Sequence, residues 1–282
     1  MLALIAGSGK MPQIVARAQV VPPLICALKG NLPDGVEPDI VFGLETVGTL
    51  LLDLGNRGVD EVCFCGAIAR PQIDPAKIDA ESAPLMPLFA EALGKGDDGA
   101  LRVVVDIFER TGFAVRGVHE LAPALLPPLG ALTQREPRLA HLRDVDKGRE
   151  ILAEMGRADL GQACVIRKGV VLEREDETGT DAMLDRLALS IERPHEGDPA
   201  GWAFDASGEL REGTRAWLEM LSSRNYEAPG AGAVLYKAPK PEQERRADLP
   251  TIGPATALRA AQAGLDGIVI ASGGCLWLSV SG

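Results

Sequence analysis

The sequence predicts an α/β protein of two domains, the first a Rossmann-like, mainly parallel sheet and the second a smaller mixed-sheet domain. Short apolar runs alternate with segments of helical period, and this alternation is typical of strand–helix–strand units. The chain has 282 residues and 46% hydrophobic content, which is enough for two buried cores. A disordered chain is therefore not expected.

The alternation is clearest in the first 118 residues. The apolar run 2–6 predicts a buried strand, and Pro12 is expected to open a helix that follows the turn 7–10. Further strands are predicted at 23–28, 39–42, 61–65 and 114–118, and helices at 45–54, 87–93 and 98–110. An open, mainly parallel sheet is the arrangement that this order favours.

A proline-rich stretch without a regular period, 121–138, indicates a domain boundary. We predict an N-terminal domain over 1–128, a linker over 129–143 and a C-terminal domain over 144–282. In the C-terminal domain Asp144 is expected to cap a helix, and Lys168-Gly169 to form a hairpin turn. The stretch 192–232 mixes proline, glycine and charged residues and is predicted to be an irregular insertion.

Composition excludes several classes of function. A net charge of −11 and a pI near 4.9 argue against a nucleic-acid partner, which a basic surface would bind. The five cysteines are scattered and lack a metal-type pair, so they are expected to be buried, reduced thiols of a cytosolic protein. No basic leader and no apolar run of about 20 residues is present, so we expect a protein that is neither exported nor membrane-spanning.

The stretch 237–254 combines several cations with one carboxylate directly before a predicted helix. Thr251 or Gly253 is expected to be the N-cap of that helix, whose N–H groups and dipole favour a phosphate. Asp248 is suited to holding a hard divalent cation or orienting a water, although a solvated basic loop with a capping aspartate would show the same composition. The side chains expected to neutralise a diphosphate are Lys237, Lys240, Arg245 and Arg246.

A second polar stretch follows the apolar run that ends at Leu172. Several acidic residues there precede Gly179, and Thr180 is expected to be the N-cap of the next helix. Asp181 then lies in the first turn, where the helix dipole favours a carboxylate in any protein. The acidic side chains could also supply oxygen ligands for Mg²⁺ or Mn²⁺.

Glycine-rich turns are the third signal. Pro12 stands where a dinucleotide fingerprint needs its third glycine, so a standard dinucleotide site is not expected. The turn Gly7-Ser8-Gly9-Lys10 still offers backbone N–H groups to a nucleotide or sugar phosphate, or is merely a tight turn. Two other loops, expected at or near the same carboxyl edge of the sheet, contribute Gly66, Ala67 and Arg70, and Gly96 and Asp97.

Six short motifs occur in order along the chain and together indicate a family. They are Ile5-Ala6-Gly7-Ser8-Gly9, Gly96-Asp97-Asp98, Asp159-Leu160-Gly161-Gln162, Gly179-Thr180-Asp181-Ala182-Met183-Leu184, Lys237-Ala238-Pro239-Lys240-Pro241 and Asp248-Leu249-Pro250-Thr251-Ile252-Gly253. In order and approximate spacing they resemble the LpxI-type UDP-2,3-diacylglucosamine pyrophosphatases, over roughly 2–190 and 232–270.

The resemblance implies hydrolysis of UDP-2,3-diacylglucosamine to UMP and 2,3-diacylglucosamine 1-phosphate (lipid X), a step of lipid A biosynthesis assisted by Mg²⁺ or Mn²⁺. The C-terminal domain would be catalytic, and the protein would work in the cytoplasm with peripheral contact to inner-membrane lipid. The predicted catalytic residues are Asp248, Asp181, Lys237 and Lys240, of which Asp248 and Asp181 would hold the metal. The predicted substrate contacts are Gly7, Ser8, Gly9, Lys10, Gly66, Ala67, Arg70, Gly96, Asp97, Gln162, Thr180, Arg245 and Thr251.

Two alternatives share the same phosphate-binding loops. One is a hydrolase of another nucleotide-sugar diphosphate. The other is a catalytically silent protein that binds a lipid-sugar phosphate, because the chain is expected to lack a final helix and strand of the family. A homodimer could supply that missing sheet edge.

Overall fold

The computed structural model describes residues 1–68, 73–94, 97–189 and 228–278, except the side chains at 93, 97 and 98. Two compact units are present, and neither is continuous in sequence. The first unit comprises Met1–Leu129, Pro239–Thr251 and Ser272–Gly282, and the second comprises Gly130–Ala238 and Ile252–Ala271. Arg70 and Gly96 lie outside the described residues, as does most of the predicted insertion 192–232.

The first unit is built on a five-stranded sheet in which every neighbouring pair is parallel. The strands follow the order β3-β2-β1-β4-β5, which is that of a doubly wound α/β sheet. They are β1 (Leu2–Ala6), β2 (Leu24–Leu28), β3 (Ile40–Phe42), β4 (Glu61–Cys65) and β5 (Ala114–Val115). The predicted parallel sheet is therefore confirmed.

Both faces of this sheet are buried, which explains why its strands are continuous apolar runs rather than alternating ones. Along β1, Ala3 and Ile5 belong to one buried cluster, whereas Leu4 and Ala6 belong to another, as the two-residue period of a strand requires. The helices of this unit are α1 (Met11–Arg17), α2 (Val47–Asn56), α3 (Met86–Leu93), α4 (Asp97–Arg110) and α5 (Val118–Leu121).

The second unit contains a four-stranded mixed sheet of order β10-β8-β6-β7. Strands β8 and β10 are parallel, and β6 is antiparallel to both of its neighbours. The elements are α6 (Leu139–Arg157), β6 (Ala163–Arg167), β7 (Val170–Arg174), α7 (Gly179–Leu189), β8 (Val234–Lys237), α8 (Pro254–Gln262) and β10 (Gly267–Ile270). The two short strands β9 (Thr251–Ile252) and β11 (Leu276–Trp277) pair with each other. The smaller mixed sheet is thus also confirmed.

The start of α6 corrects one prediction. The helix begins at Leu139, so residues 139–143 of the predicted linker are helical and Asp144 is not its cap. Asp144 is instead 2% exposed within the helix, and its carboxylate accepts hydrogen bonds from the N–H groups of Lys168 at 3.0 Å and Gly169 at 2.6 Å. Those two residues form the predicted hairpin turn, with φ of 51° and 78° as a type I′ turn requires.

The five cysteines are buried free thiols, as predicted. Burial raises the pKa of both Cys26 and Cys164 to about 12, so neither is a reactive thiolate near neutral pH. Over the described parts of the chain, no helix combines the length and apolar character needed to cross a membrane.

Candidate active site

The glycine turns of the first unit close on each other at the carboxyl ends of the neighbouring strands β1 and β4. The N–H groups of Gly7 and Ser8 donate to the carbonyls of Cys65 and Ala67, both at 2.8 Å, and the Ala67 N–H donates back to Ser8 at 2.9 Å. A Cβ on Gly7 would collide with the Ala67 carbonyl. Gly66 has a φ of 93°, a backbone conformation that is strained for any residue with a side chain.

This pairing corrects, for Gly7 and Ser8, the expectation that the first turn offers its N–H groups to a ligand. The N–H groups of Gly7 and Ser8 are already satisfied by the loop after β4, and the Ser8 hydroxyl also donates to Ala67 at 2.9 Å. Gly9 accepts from the Asp34 N–H at 3.1 Å, and the Lys10 side chain is exposed. Gly7 and Ser8 therefore cannot offer these two N–H groups to a phosphate unless the pairing with the loop after β4 opens.

Asp248, Lys240 and Gln243 are connected within the loop 239–251 of the first unit. The Gln243 Oε1 accepts from the Lys240 backbone N–H at 2.9 Å, and its Nε2 donates to Asp248 Oδ2 at 2.5 Å. Because Oε1 already meets an N–H group, the amide has one orientation, with its donor towards the carboxylate. Gln243 is only 9% exposed, so these bonds lie largely out of water.

Two further contacts anchor Asp248. Its own N–H donates to the Glu244 carbonyl at 3.0 Å, which closes a turn. The next residue, Leu249, belongs to the buried cluster that contains Ala6 and Cys65, the last residues of β1 and β4. The carboxylate is therefore carried by a turn that is fixed at its following residue in the core of the first unit.

The two adjacent arginines of this loop already have partners. Arg246 forms ion pairs with Glu244 at 2.9 Å and Glu109 at 2.5 Å, and these raise the pKa of Arg246. The Arg246 guanidinium likewise lowers the pKa of Glu244. The Arg245 guanidinium donates to the Gly273 carbonyl. Arg246 is thus neutralised within the protein, contrary to its predicted availability for a diphosphate.

A second polar set lies at one end of the mixed sheet, where β8 ends and β6 begins. Lys237 Nζ donates to Thr180 Oγ1 at 2.8 Å, and Thr180 Oγ1 donates to Glu175 Oε1 at 2.7 Å. The other carboxylate oxygen, Glu175 Oε2, accepts from the Gln162 backbone N–H at 2.7 Å. The structure thus brings together three predicted site residues, Gln162, Thr180 and Lys237, around Glu175.

Asp181 has a different set of contacts. Its Oδ1 accepts from the Thr256 hydroxyl at 3.2 Å, and its Oδ2 lies 3.2 Å from Arg259 Nη1. Arg259 also pairs with Asp185 at 3.2 Å, so these side chains join α7 to α8. A metal cation at Asp181 would compete with the positive charge of Arg259, which favours the structural alternative for this residue.

The N-cap of α8 is Gly253, followed by Pro254 at the first helical position. The other candidate, Thr251, is not the cap, because it lies two residues earlier and its hydroxyl donates to the Leu249 carbonyl at 3.2 Å. Gly253 provides no side-chain cap, so a ligand or solvent can serve the first-turn N–H groups of the helix. Thr180 does not cap α7 either, because the helix begins at Gly179 and Thr180 already lies within it.

The available oxygen donors limit what metal could bind. Among the described residues, no three His, Cys, Asp or Glu side chains converge as a metal cluster. Mg²⁺ in phosphate sites commonly uses one or two carboxylates and completes its shell with waters and substrate phosphates. Asp248 fits such an ion as a single carboxylate, whereas Asp181 fits it less well because of Arg259.

Sequence reasoning missed Gln243, and it included Glu175 only as one of several acidic residues that could bind Mg²⁺ or Mn²⁺, not as the partner of Thr180. Glu175 stands among other acidic residues, and nothing in its spacing separates it from its exposed neighbours. Gln243 carries no charge and stands between stronger signals at 240 and 248. Gln243 lies three residues after Lys240, and Glu175 lies five residues before Thr180. Both spacings are compatible with a local turn, and this was the signal available in the sequence.

Comparison with known proteins agrees with the motif resemblance. The family model for the LpxI N-terminal domain matches residues 1–125, and that for the LpxI C-terminal domain matches 128–197 and 207–281. The UDP-2,3-diacylglucosamine pyrophosphatase LpxI of Caulobacter vibrioides is 37% identical over 275 residues, which cover 95% of this chain and 87% of that protein. Matches to both domains and identity at this level over nearly the whole chain lead to one conclusion: the chain belongs to the LpxI family.

Proposed function

We propose that this protein hydrolyses the diphosphate of UDP-2,3-diacylglucosamine to UMP and 2,3-diacylglucosamine 1-phosphate. The observation that carries the proposal is the 37% identity to the Caulobacter pyrophosphatase over 95% of the chain. The match to the LpxI C-terminal domain includes the positions of Asp248, Lys237 and Thr180. Both polar sets therefore lie in the part of the chain that defines the family.

In the proposed reaction Asp248 orients a water for attack on the sugar-side phosphorus, with UMP leaving. The Gln243 amide supports this role, because it holds one carboxylate oxygen at 2.5 Å and so limits rotation of the side chain. Asp248 would also hold Mg²⁺ or Mn²⁺, with Asp181 as a second ligand if Arg259 releases it. When bound, such an ion neutralises charge on the nonbridging phosphate oxygens.

Cationic and N–H groups would stabilise the charge that develops on the phosphates. Lys240 and Lys237 are the proposed partners, together with the N–H groups at the start of α8. Gln243 accepts a hydrogen bond from the backbone N–H of Lys240, and the Lys237 ammonium donates to Thr180, which is bonded to Glu175. The remaining proposed substrate contacts are Gly7, Ser8, Gly9, Lys10, Gly66, Ala67, Arg70, Gly96, Asp97, Gln162, Arg245 and Thr251.

The substrate carries two acyl chains, so it resides in a membrane. We therefore expect the protein to act in the cytoplasm with peripheral contact to inner-membrane lipid. A homodimer is a further expectation, and sedimentation of the purified protein measures it.

The function is tested by incubating the purified protein with UDP-2,3-diacylglucosamine in vesicles and Mg²⁺, and by measuring UMP. In ¹⁸O-labelled water the label should enter the sugar phosphate rather than UMP. Chelation with EDTA should stop the reaction, and added Mg²⁺ should restore it. UDP-N-acetylglucosamine, which lacks the two acyl chains, serves as the comparison substrate. Equal turnover of both substrates would favour the alternative of a general nucleotide-sugar hydrolase.

Asp248→Asn is the matching variant. We expect kcat to fall by about 10³-fold or more, because a neutral amide neither holds the cation nor orients the water as a carboxylate does. Binding of Mn²⁺, followed by electron paramagnetic resonance, should weaken in parallel. Glu242→Gln changes an exposed acid in the same loop and should keep wild-type activity. Wild-type kcat in Asp248→Asn would remove Asp248 from the proposed mechanism.

A further inference from the structure

We propose that Glu175 is a positioning residue that holds Lys237 and Thr180 in place for the reaction, and this inference rests on the proposed function. Glu175 is 7% exposed, and both Thr180 and Lys237 are 6% exposed. Buried polar side chains of this kind are costly unless each is hydrogen-bonded. Here the Glu175 carboxylate contacts two segments directly, at Gln162 and Thr180. Through Thr180 it is connected to a third segment, at Lys237.

The direction of each hydrogen bond is fixed by chemistry. A lysine ammonium only donates and an ionised carboxylate only accepts. Thr180 Oγ1 lies between them, 2.8 Å from Lys237 Nζ and 2.7 Å from Glu175 Oε1. The hydroxyl must therefore accept from Lys237 and donate to Glu175. Removing the Glu175 carboxylate would free the Thr180 hydroxyl to rotate, and the acceptor that this hydroxyl presents to Lys237 would lose its fixed direction.

The second oxygen of Glu175 reaches a third segment. It accepts from the Gln162 backbone N–H at 2.7 Å, and the Glu175 N–H donates to the Ala163 carbonyl at 2.9 Å. The motifs 159–162, 179–184 and 237–241 are far apart in sequence, and each contributes one member to this network. Glu175 is the residue that all three share, directly or through Thr180.

Glu175→Gln tests the proposal with little change of shape. The substituted amide can accept a hydrogen bond from the Gln162 N–H or from the Thr180 hydroxyl, but not from both, because its NH₂ group faces the other donor. We expect kcat to fall by about 10- to 100-fold, the loss that displacement of a catalytic group by about 1 Å produces. KM should change by less than about threefold if the network acts mainly on the transition state.

Two threonine variants keep the test valid if Glu175→Gln folds poorly. Thr180→Val keeps the shape but removes the hydroxyl, and it should lose activity as Glu175→Gln does. Thr180→Ser keeps the hydroxyl and should restore kcat to within about threefold of the wild type. The double variant Glu175→Gln/Thr180→Val should be no less active than the less active of the two single variants, because the effects of substitutions within one network do not add.

The matched control is Glu154→Gln, the same substitution on the exposed face of α6 in the second unit. It should leave kcat and KM unchanged. All rates are referred to the folded fraction measured by circular dichroism. If the wild type is active and both Glu175→Gln and Thr180→Val keep its full kcat, this inference is overturned. The proposed function would stand in that case. Wild-type protein that releases no UMP would overturn the proposed function, and the inference with it.

Discussion

At the residue level, Gln243 shows how a neutral amide can set the position of a carboxylate. Its two ends are distinguished by their partners, the Lys240 N–H at 2.9 Å and the Asp248 carboxylate at 2.5 Å. A glutamate in its place would put two carboxylates in contact, and repulsion would favour protonation of one of them. The amide supplies the hydrogen bond without adding charge.

Gln243→Glu is the variant that isolates this effect. We expect it to lower kcat by about 10-fold or more near neutral pH, because the Asp248 carboxylate loses a donor and gains a like charge. Gln243→Ala should show a smaller loss, since it removes the donor without adding charge. The kcat of both variants, measured against Glu242→Gln, checks the prediction. A more active Gln243→Glu than Gln243→Ala would contradict it.

The same residues show what sequence can and cannot predict about the site. Asp248 and Lys237 are identifiable as candidates because charged residues before a helix start suit a phosphate. The roles proposed for Glu175 and Gln243 depend on their three-dimensional neighbours. The sequence therefore predicts candidate charged groups, but not the hydrogen bonds that connect them.

At the level of elements, α6 and the β6–β7 hairpin are joined by one buried side chain. Asp144 accepts from two consecutive N–H groups of the hairpin turn, which would otherwise have no partner in the hairpin itself. An aspartate before an amphipathic stretch is typical of an N-cap, which is why its position was predicted wrongly. Like an N-cap, the Asp144 carboxylate accepts hydrogen bonds from backbone N–H groups. These groups belong to the hairpin turn rather than to the start of its own helix.

Asp144→Asn should lower the free energy of unfolding by about 1–3 kcal/mol, since the amide can accept from one N–H but presents its own donors to the other. Asp146→Asn is the control, because Asp146 is an exposed residue of the same helix that pairs with Arg149. That change should cost less than about 0.5 kcal/mol. Urea denaturation measures both, and equal effects would show that Asp144 does not stabilise the turn.

At the level of the whole molecule, several carboxylates are hydrogen-bonded by the fold and have lowered pKa values. The hydroxyls of Ser82 and Thr49 lower the pKa of Asp79, and the Gly117 N–H lowers that of Glu120. The Asp74 N–H has the same effect on Glu45. Each of these groups binds its proton more weakly in the folded than in the unfolded chain.

Stability should therefore depend on pH in one direction. A lowered folded-state pKa contributes stability above the unfolded value, and this is lost as pH falls through the folded value. We expect the free energy of unfolding to be nearly constant between about pH 6 and pH 8 and to decline below about pH 4.5. Urea titrations across this range measure it. Asp79→Asn should show a shallower decline, and an unchanged slope would exclude Asp79 as a contributor.

Much of the fold was predictable, because the buried parallel strands are continuous apolar runs such as 2–6 and 61–65. The return of later segments to the first unit was not. Leu249 and Leu276 look like ordinary apolar residues of the C-terminal domain, yet both belong to the buried cluster that contains Leu4. Local pattern does not reveal which of two cores an apolar residue joins.

That cluster has a consequence for biosynthesis. Leu4 belongs to β1, and Leu276, which is 2% exposed, is synthesised more than 270 residues later. The five-stranded sheet cannot complete its apolar covering until Leu276 has left the ribosome. Until then, part of its surface stays open to chaperones or to aggregation.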